Sequence, residues 1–584
     1  MEVPRAMRWS NKTLGPDGPW NAVEVTLGSA QDVTVYAGRM WESYFPGATY
    51  CGHTTTAGQP CYAQQVGAIY DESAGTGDVP EIAFSASAYY ASDMDAVGTN
   101  AKRYTDRISL GKDSSYWSPV SVDNFAMALM SDTQLRYPNG NEYPLFAGCL
   151  SIGAAPSIVN HTFEIIPGQV AGAVNTSLLA GTLFTNHAIA SQTFGMHIGS
   201  AAPNRVPGSL WIGGYDRNRA VNDMLSLPIP DPFTAFSNAP LVDISIDVVK
   251  GGSPFPWTSK GGLLASGNYS IGNQLGVVID PCLPYLNLPK STCDAIAAEI
   301  PVKLDYGLGL YLWDTESPDY TRIVQSPSVL TFTFVDPDSN LRKVNISVPF
   351  THLNLTLDQP LINKPTPYFP CNAASNGAYA LGRAFLQDAF IGANFQTAVY
   401  FLSQAPGPDL NSENVMAMDS DCRTLEASKN DWVTSWNGHW TPLPEPDSNT
   451  SSGVLIISKP ASGHGSMAGV IAGATVGGVV GLMLLSFVCF IIWKYRKYGK
   501  GFSLCGLSLI KDKPAVRNIV DVVDAREFKP PVGYSQHTLY ELAPTTWQLP
   551  ANITDRAAEM ETPHIVHEMP VNHIGHYGHY YTNA

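Results

Sequence analysis

The sequence predicts a mostly β outer region, followed by one C-terminal transmembrane helix and a disordered tail. Three observations predict it. Between Trp20 and Gln404, short β-branched or aromatic runs (VEVTLG, DVTVY, LTFTFV, VNISVPF, TAVYFL) alternate with Gly, Pro, Asn and Asp, the signature of strands and turns. Met467 to Trp493 is 27 residues without a charge, and about 20 apolar residues cross a bilayer as a helix. From Gly501 onward there is little periodicity and no large apolar run, so residues 494–584 read as a disordered cytosolic tail.

Composition sets the outer bounds. The 584 residues are 44% hydrophobic and 14% charged, with Gly 51 and Pro 44, an ordered and turn-rich chain. The net charge of −16 opposes nucleic-acid binding, which needs clustered Lys and Arg. The charge divides at the span, with 24 basic and 41 acidic residues before Lys494 and 10 basic and 9 acidic from there on. Lys494, Arg496, Lys497 and Lys500 follow the span at once, so the positive-inside rule predicts a single-pass type I protein with residues 1–466 outside or lumenal, in the plasma membrane or vacuole.

Within the span, Gly469, Gly473, Gly477 and Gly481 recur every fourth residue on one helix face, the small-xxx-small pattern of a homodimer. Glycine is also common in such helices, so dimer seam and plain composition both fit. Export agrees with Asn-x-Ser/Thr sequons at Asn11, Asn160, Asn175, Asn268, Asn345, Asn354 and Asn449; one more, Asn552, falls in the tail. Met1 to Trp9 has no apolar stretch of signal-peptide length, so export is expected to depend on an upstream or already processed segment. Seven of nine cysteines lie outside (Cys51, Cys61, Cys149, Cys282, Cys293, Cys371, Cys422), where an oxidising compartment favours pairing and the odd number leaves one over. Cys489 sits in the span and Cys505 beyond it on the cytosolic side, where palmitoylation and no modification are both open.

Few helices are expected. The main one is Lys290 to Ile300, with Ser291 as its cap. Residues 405–466 are rich in Pro, Ser, Gly, Asn and acid and read as a stalk. His564, His567, His573, His576 and His579 give three His-x-x-His spacings, but in a tail without preorganised geometry they predict no metal site. No phosphate loop, zinc signature or Gly-x-Ser-x-Gly elbow occurs, and no cofactor is expected.

Several segments, in order, resemble the pepsin-type aspartic peptidases. Val25 to Val35 followed by Tyr50-Cys51 is similar to the strand pair leading into the first catalytic loop, and Gly213-Gly214-Tyr215-Asp216 to the strand that closes the first lobe. Val277-Val278-Ile279-Asp280 with Leu286 to Pro289 resembles the second catalytic loop; Tyr379 to Leu386 and Thr397 to Phe401 resemble the final strands. The likeness covers residues 18–405, and its nearest form is the membrane-anchored, catalytically degenerate proteins of filamentous fungi. It implies a bilobal fold, with a pepsin-like N-lobe at 18–229 after an N-terminal segment (1–17) and a C-lobe at 230–404.

The family's chemistry uses two carboxylates, one from each lobe, sharing a proton. Carrying the pattern from Gln31 to Cys51 puts the first catalytic position at Gly38, with Arg39 and Met40 after it; the first Asp is absent. Asp32 lies six residues upstream, roughly 20 Å along an extended strand, and Glu42 lies beyond the loop. Asp280 matches the second catalytic Asp, but Pro281, Cys282, Leu283 and Pro284 replace the hydroxyl-bearing run that normally supports it. The flap lacks its Tyr at Val97-Gly98-Thr99, leaving Tyr89 and Tyr90 as flap candidates, with Arg39 and Cys282 as further cleft candidates.

The resemblance implies a Cys51–Cys61 disulfide. By the family's layout it further suggests Cys282 with Cys371, Cys293 with Cys422, and Cys149 free. The expected function is therefore a pseudopeptidase whose cleft binds a peptide or cell-wall ligand. An active membrane-anchored endopeptidase and a passive glycoprotein spacer are the alternatives.

Overall fold

The computed structural model describes residues 2–38, 43–54, 60–75, 82–84, 96–97, 101–111, 119–153, 156–166, 169–201, 203–230, 238–337, 339–374 and 378–445, with the pairs 503–504 and 507–508. The chain separates into two compact units, Met1–Leu455 and Ile456–Ala584. In the second, the described residues are the two short strands Ser503–Leu504 and Leu507–Ser508, paired antiparallel. The proposed span at 467–493, its glycine face and the histidine tail lie outside the described residues. Among those described, no helix is long and apolar enough to cross a membrane.

The first unit is mostly β. Its strands follow the period-two rule: in Val23–Leu27 the side chains of Val23, Val25 and Leu27 are buried and those between are half-exposed. Gly28, at φ 59°, turns the chain into Gln31–Gly38, which pairs back in the register Val23↔Val35 and Val25↔Val33. From Val33 onward that strand is buried throughout, because it has a neighbour on each side and is covered on both faces.

A strand arrangement occurs twice. In the first half, Gly148–Ser151 lies parallel to Gln31–Gly38 and antiparallel to Ser43–Pro46, which itself runs parallel to Val120–Met130. In the second half, Ala380–Leu381 lies parallel to Leu275–Ile279 and antiparallel to Leu286–Pro289, which runs parallel to Cys371–Ala374. Each central strand also has an antiparallel neighbour upstream, Val23–Leu27 in one half and Ala239–Val248 in the other. A six-stranded sheet holds strands of both halves, joined where Thr193–His197 pairs antiparallel with Ala389–Asn394.

Two expectations are corrected. Residues 405–445 do not form a stalk: Val415–Ala417 pairs with Gly214–Asp216, Thr441 N–H donates to Gln325 O at 2.8 Å, and Trp432, Trp436 and Trp440 are buried. Trp436 stacks on Trp440 at 4.9 Å and meets the His352 ring edge-on. Three tryptophans spaced by four residues bury enough apolar surface to outweigh a polar composition. The helix spans Lys290–Ala297 with Pro289 at its N-cap; starting two residues earlier than a Ser291 cap would set, it leaves Ser291 inside the first turn, where its Oγ accepts from Asn268 Nδ2 at 3.0 Å.

Candidate functional site

The site is built where the two central strands end. In the second half, Leu275–Ile279 runs into Asp280, which is 3% exposed. Asp280 N–H donates to Leu381 O at 3.1 Å, and its Oδ1 accepts from Cys282 N–H at 2.9 Å. This carboxylate therefore caps its own turn, the local bond that Asp offers the backbone two residues on. Gly382 lets the turn lie against the end of Ala380–Leu381, since a Cβ there would run into Leu283 O.

In the first half, Gln31–Gly38 carries Tyr36 opposite Cys149 and Gly38 opposite Ser151. Ser151 N–H donates to Ser43 Oγ at 2.7 Å, tying Gly148–Ser151 to the start of Ser43–Pro46. Gly38 is the position where the sequence pattern places the first carboxylate. A Cβ there would collide with Cys149 Sγ and come within 2.8 Å of Cys282 Sγ, closer than real atoms approach. Cys149 and Cys282 form a disulfide with a Cα–Cα distance of 6.2 Å across 133 residues of sequence. A sulfur pair thus occupies the space that any side chain at position 38 would need.

Behind the disulfide lies a buried polar cluster. Arg383 Nη1 donates to Pro281 O at 3.1 Å and to Cys282 O at 2.9 Å. Its guanidinium stands 4.0 Å from the Tyr36 ring centroid and 5.2 Å from that of Trp20, in cation–π contact with both. Trp20 Nε1–H donates to Asp17 Oδ1 at 2.7 Å, and Tyr368 O–H to Asp17 O at 2.6 Å. Burial raises the Asp17 carboxyl, and the charge of Arg383 pulls it part of the way back. Burial likewise raises the hydroxyls of Tyr36, Tyr137, Tyr285 and Tyr368, so all four stay protonated. The Asp17 turn also grips the second half: Asp358 N–H donates to Pro16 O at 2.7 Å and Thr356 N–H to Gly18 O at 3.3 Å.

Of the predicted residues, the structure brings Gly38, Asp280 and Cys282 together. Tyr89, Tyr90, Arg39 and Glu42 lie outside the described residues. Asp32 is held at the surface, accepting from Thr26 Oγ1 at 2.7 Å and paired with Arg8 at 3.1 Å. Cys51 pairs with Cys61. Two further pairings are corrected: Cys282 bonds Cys149 rather than Cys371, and Cys293 bonds Cys371 rather than Cys422. Cys371 opposes Leu286 on a buried strand beside the helix that carries Cys293, so its side chain faces that helix and not the turn at Cys282. Among the described residues, Cys422 is the free thiol, raised by burial and donating to Thr424 O at 2.8 Å.

Asn11, Asn175 and Asn345 are exposed. The amides of Asn268 and Asn354 are half-buried and donate to Ser291 Oγ and Tyr320 Oη, each at 3.0 Å. The Asn160 side chain and Asn449 lie outside the described residues. Asp17 and Arg383 are the site members that sequence reading missed. The run Gly15-Pro16-Asp17-Gly18-Pro19-Trp20 is a turn signal that could have drawn attention to Asp17. Among the described residues, no three His, Cys, Asp or Glu side chains converge as metal ligands.

No protein-family model matches the chain, and no curated protein matches its sequence. Among solved structures, it is similar to the aspartic proteinase from Irpex lacteus at 13% identity, over 70% of this chain and 98% of that one, with a TM-score of 0.41.

Proposed function

We propose that the chain is a membrane-anchored protein of pepsin-like fold that has exchanged peptidase chemistry for a binding or sensing role. The observation that carries this reading is the Cys149–Cys282 disulfide against Gly38. Peptide hydrolysis by this kind of site needs two carboxylates sharing one proton. Here one carboxylate position is a glycine with no room for a side chain, and the other, Asp280, caps its own turn. Losing positioned acid–base help costs about 10²- to 10⁴-fold in rate per group.

The duplicated strand arrangement supports the bilobal fold. The uncharged stretch 467–493 with its basic flank supports the single span, oriented with the N-terminal region outside or in the lumen of a secretory compartment, at the plasma membrane or vacuole. Exposed Asn11, Asn175 and Asn345 support a glycosylated outer face. Because Arg383, Trp20 and Tyr36 fill the space behind the turn, a peptide or wall ligand is expected to bind elsewhere than at the dyad position.

The test is digestion of a denatured-peptide library by the full chain in detergent, from about pH 3 to about pH 7, with and without pepstatin. The expected result is no cleavage by wild type or by Asp280→Asn. Pepstatin-sensitive cleavage that disappears in Asp280→Asn would establish the alternative, an active endopeptidase with a second acid.

A further inference from the structure

The bridge beside Gly38 has a second property, which is where it sits in the covalent structure. Cys51–Cys61 closes a loop inside the first half and Cys293–Cys371 one inside the second. Among the described residues, Cys149–Cys282 is the one disulfide joining the halves. Each half also keeps its own turn by bonds that do not involve the sulfurs, Cys282 N–H to Asp280 in one and Ser151 N–H to Ser43 in the other. The six-stranded sheet holds the halves together elsewhere.

The two sulfurs differ in access. Cys149 is buried and Cys282 is partly exposed, whereas Cys293 and Cys371 are both fully buried. Thiol–disulfide exchange needs a reachable sulfur to attack and a stabilised thiolate to leave. Arg383 bonds the carbonyl of Cys282 and lies over Tyr36, the residue opposite Cys149, so a permanent cation stands beside the pair. A neighbouring cation favours thiolate over thiol and eases its departure.

We infer that Cys149–Cys282 is a redox-active clasp, opened by an external dithiol, which frees the turn at 280–285 from the Gln31–Gly38 strand. One thiolate of the dithiol attacks Cys282 Sγ, forming a mixed disulfide and expelling Cys149 as a thiolate that takes up a proton. The second thiol then attacks its partner sulfur, releasing Cys282, and the dithiol leaves as its own disulfide. Two electrons and two protons pass to the protein, and an oxidised dithiol reverses the sequence. The clasp operates whether or not the groove cleaves peptides.

The test uses the full chain in detergent near about pH 8, where thiols exchange readily. Free thiols are blocked, graded dithiothreitol is added, and newly released thiols are labelled and mapped by mass, with hydrogen exchange followed in parallel. The expected result is labelling of Cys149 and Cys282 at least about tenfold faster than of Cys293 and Cys371. Faster exchange is expected in Gln31–Gly38 and 280–285 while the rest stays protected. A Cys149→Ala, Cys282→Ala double variant should show that faster exchange without reductant and no response to it. Release of Cys149 and Cys282 only together with Cys293 and Cys371, or their early release without any change in exchange, would overturn the clasp. Wild-type labelling decides the matter even where the variant fails to fold.

Discussion

In the second half, the strand Leu275–Ile279 ends on Asp280, a carboxylate bonded into its own turn. In the first half, the corresponding strand ends on Gly38, which has space for a hydrogen and nothing larger because Cys149 and Cys282 meet there. Both ends keep the same frame of one parallel and one antiparallel neighbour. The difference teaches that the duplicated frame forms with either a carboxylate or a glycine at the end of its central strand, since its hydrogen bonds and buried strands do not depend on which side chain stands there.

Placing an acid at position 38 breaks the comparison most severely. Gly38→Asp forces a Cβ into the sulfurs and buries a carboxylate without a designed partner, a cost of about 5 kcal/mol. Denaturant unfolding should show that loss, and the loss should shrink by about 2 kcal/mol in a Cys149→Ala, Cys282→Ala background, where the space is free. An equal cost in both backgrounds would mean the sulfurs are not what fills the position.

The sheet shared by the halves offers the next effect. His197 is fully buried, its Nε2 bonded to Gln387 O at 2.7 Å and its Nδ1 without a partner among the described residues. Burial, with Arg219 and His352 nearby, lowers its pKa from 6.5 to about 3. Unfolded His takes up a proton below 6.5 that the native ring refuses, so this contribution is fully present above 6.5 and lost as pH falls towards 3, by about 4 kcal/mol. Asp17 and Asp388, both raised by burial, act oppositely: their contribution is full below 3.8 and declines as pH rises through their folded values. Urea midpoints from about pH 7 to about pH 4 should fall in wild type and flatten in His197→Gln; equal slopes would remove His197 from the account.

Removing the bridge alone, with Cys149→Ala and Cys282→Ala, should cost about 3 kcal/mol in thermal or urea unfolding, because a loop of 133 residues is no longer closed in the unfolded chain. Asp280→Asn should cost under about 1 kcal/mol, since the amide oxygen still accepts from Cys282 N–H. A loss of several kcal/mol there would show that the charge itself holds the turn.

Much of the frame was legible in the sequence, because alternating β-branched runs such as Val23–Leu27 state their own pairing face. Gly38 and Asp280 were legible from local pattern and order. What was not legible depends on residues distant in sequence: the Cys149–Cys282 pairing spans 133 residues. Arg383 follows a Leu-Gly pair, and nothing local shows that Trp20 and Tyr36 flank it. The strap at 405–445 was hidden because three tryptophans outweigh a polar composition only once Val221, Val329 and His352 are brought to them.

The most direct measurement is non-reducing proteolysis of the thiol-blocked full chain with mass mapping of the cross-linked peptides. A peptide pair linking Cys149 to Cys282, alongside Cys51–Cys61 and Cys293–Cys371, is the predicted result. Alkylated Cys149 and Cys282 in the unreduced protein, or Cys282 found joined to Cys371, would contradict it and reopen the space beside Gly38.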